Sequence, residues 1–132
     1  MRSEVLKASQ RQEEDMALCL RRAGFDDAKR QPASGNNPLR PADVVSREAE
    51  LMVECKMTHR VTMSFDHRWV QRVWERAQQF GYRGVVALRF LRKWPEKPED
   101  YVVIPQAHFI HLLQCEAQLS ESILGDGELR NA

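Results

Sequence analysis

Asp43 is followed, after ten residues, by Glu54-Cys55-Lys56. Asp43-Val44-Val45 reads as a short strand and Leu51 to Met57 as a second, joined by a turn at Ser46-Arg47-Glu48-Ala49. The two-residue period of a strand puts Glu54 and Lys56 on one face and Leu51, Val53, Cys55 and Met57 on the other. Taking a charge out of water costs several kcal/mol per ion unless a partner, a metal or exposure compensates, so charges on an apolar strand need a reason. If the two strands are antiparallel neighbours, Asp43, Glu54 and Lys56 share one site. Paired carboxylates make a hard-oxygen site suited to Mg²⁺ or Mn²⁺. An adjacent ammonium can hold an attacking water or neutralise charge on a phosphate. Together these groups are equipped for metal-assisted hydrolysis of a phosphodiester.

The surrounding elements must hold that site. A first helix is expected from about Ser3 to Ala23, with Leu6, Met16, Ala17, Leu20 and Ala23 near helical spacing and Gly24 as its C-terminal cap. Glu13, Glu14 and Asp15 cluster on it, and by themselves read as a solvated acidic turn. A short edge strand is expected between Phe25 and Gln31, although Asp26-Asp27 suit a strand poorly. The stretch from Pro32 to Pro41 is a loop. In it Ser34 and Arg40 are placed to contact phosphates and Gly35 to let the backbone approach, or the loop is an ordinary surface connection. His59 and Arg60, just past the second strand, are candidate phosphate contacts, though a single loop histidine is more often a bystander.

Ser64 reads as the N-cap of a helix running to Phe80, with Phe65, Trp69, Val73, Ala77 and Phe80 as its core stripe. Its opposite face carries Arg68, Gln71, Arg72, Glu75 and Arg76, a candidate DNA-facing or dimer-facing surface against the default of a solvated one. Gly84 to Leu91 is a near-continuous apolar run and therefore a central strand. A proline-punctuated connection from Arg92 to Asp100 contains Trp94, which could cap the local core, cross a subunit boundary or stack on a base. Tyr101 to Ile104 is the last strand. A final helix from Ala107 to about Gln118 has Phe109, Ile110, Leu112 and Leu113 inward, and residues 120–132 are expected to fray.

With 132 residues the chain should form one domain, residues 1–119, followed by that tail. Its 20 basic and 19 acidic side chains give a net charge of +1, so any nucleic-acid surface must come from segregated charge. No apolar run approaches a membrane span and no signal core is visible, which points to a cytoplasmic protein. Three widely spaced cysteines, Cys19, Cys55 and Cys115, suit reduced core residues better than disulfides or zinc ligands.

The pattern Asp43, ten residues, Glu54-x-Lys56 resembles the PD-(D/E)xK nuclease core, with Ala42 where that pattern has proline, a residue outside the chemistry. In the order of its elements, the stretch from about Ala8 to about Leu113 resembles the Holliday-junction resolvases of the archaeal and phage type. The resemblance implies a restriction-endonuclease-like α/β fold, a mixed β-sheet flanked by helices. It also implies catalytic roles for Glu13, Ser34, Asp43, Glu54 and Lys56, with Asp43, Glu54 and Glu13 at the metal. Glu13 stands eleven residues before Gly24, as the family's glutamate does, and Glu14 is the alternative. The function implied is a structure-selective endonuclease acting on four-way DNA junctions as a homodimer, with Ser34, Arg40, His59, Arg60, Arg68 and Arg72 on the DNA. Two equivalent sites in a two-fold dimer suit the two symmetry-related strands to be cut. The competing readings are another nuclease of this superfamily, of restriction or repair type, and a non-catalytic DNA-binding protein of the same fold.

Overall fold

The computed structural model describes residues 2–31, 42–93 and 96–131, with side chains over 7–31, 42–92 and 97–124. Its elements are α1 (Arg2–Arg22), β1 (Lys29–Arg30), β2 (Val44–Ser46), β3 (Leu51–Thr58), α2 (His67–Gln78), β4 (Arg83–Lys93), β5 (Glu96–Val103) and α3 (Gln106–Asn131). This is the expected order of helices and strands, and the fold is the expected α/β one with a mixed sheet. The five strands lie in sequence order. Only β3 and β4 are parallel, connected through α2, while the other pairs are antiparallel.

Both faces of the sheet are covered. On one, Ala17 of α1 packs with Val44, Val53, Val85 and Ala87, flanked by Met16, Leu20 and Cys55. On the other, Val73 and Ala77 of α2 pack with Met52 and Val86, flanked by Val45, Trp69, Leu88 and Val103. Alternation along β3 and β4 therefore sends successive side chains to α1 and α2. α2 sits very close to β4. A Cβ at Gly84 would stand 2.5 Å from the Val73 carbonyl oxygen, so only glycine fits.

α1 ends in a Schellman motif. The Phe25 N–H donates to the Leu20 carbonyl at 3.0 Å and the Gly24 N–H to the Arg21 carbonyl at 3.0 Å, with Gly24 at φ +104°. The cap of α2 is Asp66 rather than Ser64, because its carboxylate accepts the Arg68 N–H at 2.9 Å from extended backbone. The Arg68 guanidinium first, and then that cap, lowers the Asp66 carboxyl to about 2.

Further expectations are corrected. The stretch from Arg92 to Asp100 is not a connection: β4 and β5 continue through it as a hairpin, pairing Leu91 with Pro98 and Arg92 with Lys97. Proline is tolerated there because β5 is an edge strand. α3 does not end near Gln118 but runs as one helix to Asn131. Its Phe109, Ile110, Leu112 and Leu113 are exposed by 43–49 %, not inward, because α3 projects its apolar residues away from the two core clusters. Cys19 and Cys115 are exposed, so of the three cysteines Cys55 alone is largely buried.

Candidate active site

The β2–β3 hairpin brings the acidic and basic groups together. Its register pairs Val44 with Val53, and Asp43, at the bend just before β2, is held against β3 beside that pair. The register is fixed from outside the hairpin. Asp27 accepts the Ser46 hydroxyl at 2.7 Å and the Arg47 and Glu48 N–H groups at 2.7 and 3.1 Å. The Ser46 oxygen in turn accepts the Ala49 N–H at 3.0 Å. The bond from Ser46 holds the Asp27 carboxyl below the usual carboxylate range despite some loss of water. The Asp26-Asp27 pair, a poor strand former in the sequence, thus closes the turn beneath the site.

Asp43 is anchored at both ends. Its N–H donates to the Val53 carbonyl at 3.0 Å, and its Oδ2 accepts the Cys55 N–H at 2.8 Å. Glu54 lies beside it, and Lys56 Nζ is 3.5 Å from Glu54 Oε1. The Lys56 ammonium also sits 5.1 Å from the centre of the Trp69 ring, where the ring's negative face stabilises it. Burial raises the Glu54 carboxyl above its ordinary value, the Asp43 carboxylate raises it further, and Lys56 and Arg76 partly oppose this. Burial and the same acids push the Cys55 thiol far up, so it stays protonated and packs rather than reacts.

Glu13 is positioned differently. It lies on the α1 side of the sheet, where Arg30 of β1 donates to its Oε2 at 2.6 Å, while Glu14 is exposed. Among the described residues, no three His, Cys, Asp or Glu side chains converge closely enough to hold a metal ion. The described residues bring Asp43, Glu54 and Lys56 close together, with Glu13 near enough for its charge to act on the Cys55 thiol between Glu54 and Lys56. Ser34, Gly35 and Arg40 lie outside the described residues, as does Trp94. His59 and Arg60 are exposed just past β3. Arg68 is tied to its own helix cap, with Nε and Nη2 donating to Asp66 at 3.0 and 2.7 Å, and Arg72 Nε reaches the Arg68 carbonyl at 3.4 Å.

The residues fit a divalent cation as a two-carboxylate site. Burial chiefly, and the Asp43 carboxylate after it, make Glu54 harder to ionise, a cost that a bound cation would relieve. Sequence reasoning missed five supports. Gln12, buried on α1, donates to the Lys56 carbonyl at 3.0 Å and the Ala87 carbonyl at 3.3 Å, locking the helix to the strand that bears Glu54 and Lys56. Arg30, Trp69 and Arg76 act on Glu13, Lys56 and Glu54 respectively. Arg89 carried the one legible signal, a lone charge in an apolar run. It is buried in β4 and bound to Asp15 at 2.9 Å and Asp100 at 2.7 Å, tying α1, β4 and β5 together.

A mixed sheet with an acid at one strand's start and E-x-K on its neighbour defines a nuclease fold of the PD-(D/E)xK kind. Residues 6–122 match the family model described as archaeal Holliday junction resolvase (hjc), and the chain belongs to that family. It is accordingly a junction-resolving nuclease by family. No curated protein matches the chain. Among the described residues no helix is long and apolar enough to cross a membrane.

Proposed function

We propose that this nuclease hydrolyses paired phosphodiesters in four-way DNA junctions, with Asp43 and Glu54 holding Mg²⁺ or Mn²⁺ and Lys56 acting on the reacting phosphate. The observation that carries this reading is the proximity of the three groups: Asp43 Oδ2 accepts the Cys55 N–H between Glu54 and Lys56, its charge acts on Glu54, and Lys56 pairs with Glu54. Bound by the two carboxylates, the cation supplies Lewis acidity toward the phosphate. Lys56, fixed between Glu54 and Trp69, donates hydrogen bonds to the attacking water or to a phosphate oxygen and offsets the charge that grows there. Glu13, steadied by Arg30, supports the site from the α1 side. Ser34 steadies the scissile phosphate, and Arg40, His59, Arg60, Arg68 and Arg72 bind neighbouring phosphates.

The working unit in this reading is a homodimer in the cytoplasm. Its support is α3, whose Phe109, Ile110, Leu112 and Leu113, continued by Leu119, Ile123 and Leu124, expose 43–68 % of their surface. So much apolar surface on one helix is expected to be covered by another chain. A second copy there gives two equivalent sites for two equivalent strands.

The test is incubation with an immobile four-way junction and a matching linear duplex, with and without Mg²⁺, at one salt concentration. Paired nicks confined to the junction and dependent on Mg²⁺ are expected. Asp43→Asn should reduce cutting by about 10³-fold or more, as loss of a group acting in the transition state does, and leave junction affinity within about threefold, because basic contacts to phosphate carry most affinity. Cutting of both substrates would instead mark a nuclease of ordinary duplex, and binding without cutting in either ion a non-catalytic binder.

A further inference from the structure

The α2 face of the sheet does not end at Lys56. In the parallel β3–β4 register Lys56 lies beside Leu88 and Thr58 beside Phe90, and across β5 Leu88 meets Tyr101 and Phe90 meets Glu99. Directly paired side chains share a face, so Phe90, Tyr101 and Glu99 stand on the same side as Glu54 and Lys56. There they line an open pocket of about 390 Å³, completed by Arg92 and by His59, Arg60 and Val61 beyond the end of β3.

Its chemistry is specific. Tyr101 meets Phe90 edge to face, with ring centres 6.0 Å apart, and still exposes 55 % of its surface. Glu99 lies 3.8 Å from the Arg92 guanidinium and 3.5 Å from the Tyr101 hydroxyl, which places one carboxylate acceptor in the wall. Arg60 and Arg92 are exposed cations at the pocket, and Val61, 90 % exposed, is an apolar side chain held out in solvent beside them. An aromatic platform, one acceptor and flanking cations match a nucleobase with its phosphates: ring to ring, acceptor to base N–H, guanidinium to phosphate. The volume lies within the range of about 300–1,000 Å³ typical of small-molecule sites. By strand geometry Phe90 and Tyr101 lie about 8–10 Å from Lys56, the rise of about three B-form nucleotides.

We propose that this pocket receives one unstacked base of the junction, about three nucleotides from the phosphate that is cut, with Tyr101 as its stacking surface and Glu99 as its hydrogen-bond acceptor. The proposal rests on the junction-cutting reading above. It gives the enzyme a way to prefer junctions to continuous duplex, since a base at a strand crossover is cheaper to unstack than one inside a helix. Val61 fits as a wedge at the opened step, the use that architectural proteins make of exposed apolar side chains.

The test is a cycle between protein and DNA. The cut site is mapped first; then junctions are prepared with one abasic nucleotide at each of the positions one to five on either side of it. Affinities of the full-length protein and of Tyr101→Ala are measured without divalent cations at fixed salt. The wild type should lose about tenfold, roughly the value of one base–aromatic stack, at one position near the third. Tyr101→Ala should lose a similar amount on the intact junction and nothing further at that position. Tyr101→Phe should restore the wild-type pattern, and Glu99→Gln should weaken binding only when the base is present. Losses that simply add, or a wild type indifferent to every abasic site while still preferring junctions, overturn the pocket and leave the cutting reading standing. A wild type that binds junction and duplex alike overturns both. Tyr101→Ala that sediments as a monomer beside a dimeric wild type assigns the surface to a second copy and overturns the proposal.

Discussion

Replacing Gly84 with alanine tests how tightly α2 is pressed onto the strand next to the active one. The added Cβ would lie 2.5 Å from the Val73 carbonyl oxygen, 2.7 Å from its carbon and 2.8 Å from the Trp74 nitrogen, all backbone atoms. Ordinary carbon contacts begin near ~3.5 Å, so helix and strand must part by about 1 Å. Overpacking of this kind costs about 1–3 kcal/mol. Without the clash, the same change would stabilise the fold by about 0.4–1 kcal/mol, through the smaller entropy of the unfolded chain. The two cases differ in sign. At about 3–4 °C per kcal/mol for a domain of this size, the midpoint should fall by roughly 3–12 °C. Thermal unfolding at one protein concentration measures that shift, and urea unfolding the free energy behind it, read at constant slope. Because α2 carries Trp69 and Arg76, junction cutting should drop as well, even where the variant is fully folded. An unchanged or raised midpoint would refute the close approach of α2 to β4.

Other perturbations reach the site directly. Since burial and Asp43 raise the Glu54 carboxyl, its effect on metal-free stability is most favourable below the ordinary glutamate value of about 4.3 and is lost as pH rises through the raised one. Glu54→Gln should therefore be the more stable protein at pH 7 while cutting nothing. Melting curves from pH 4 to 8 check this, and a wild type that gains stability over the variant across that range contradicts it. Trp69→Leu removes the ring under Lys56 and should slow cutting by about 2- to 5-fold, the worth of a partly exposed cation–π contact, with Trp69→Phe recovering much of the loss. Leu113→Glu places a charge on the exposed apolar surface of α3. It should weaken dimerisation by about 30-fold or more in sedimentation, without lowering the unfolding midpoint of the isolated protomer.

The letters that predicted the site were those whose meaning is local. A two-residue period placed Glu54 with Lys56, and a short turn brought Asp43 back against β3. Side chains whose partners are remote carried no such signal. Gln12 sits beside Glu13 in a polar stretch, yet the carbonyls it binds belong to Lys56 and Ala87. The β4–β5 hairpin was hidden by Pro98 and its charged neighbours, which read as a connection. Cross-strand partners decide otherwise, with Arg89 on Asp100 and Phe90 against Tyr101. Ser64 and Asp66 are both good helix caps by residue type, and only geometry separates them. On α3 the apolar letters were legible, but not what they face.

The parallel pairing of β3 with β4 has a consequence for the newborn chain. Asp43, Glu54 and Lys56 leave the ribosome before any residue of β4 emerges. Until residues 83–93 emerge, the active strand has only a three-residue neighbour, and an isolated two-stranded hairpin is at best marginally stable in water. An interrupted or truncated chain thus carries the three side chains of the proposed centre without their alignment. In the proposed reading it can cut DNA only once β4, which supplies none of those three groups, has been made.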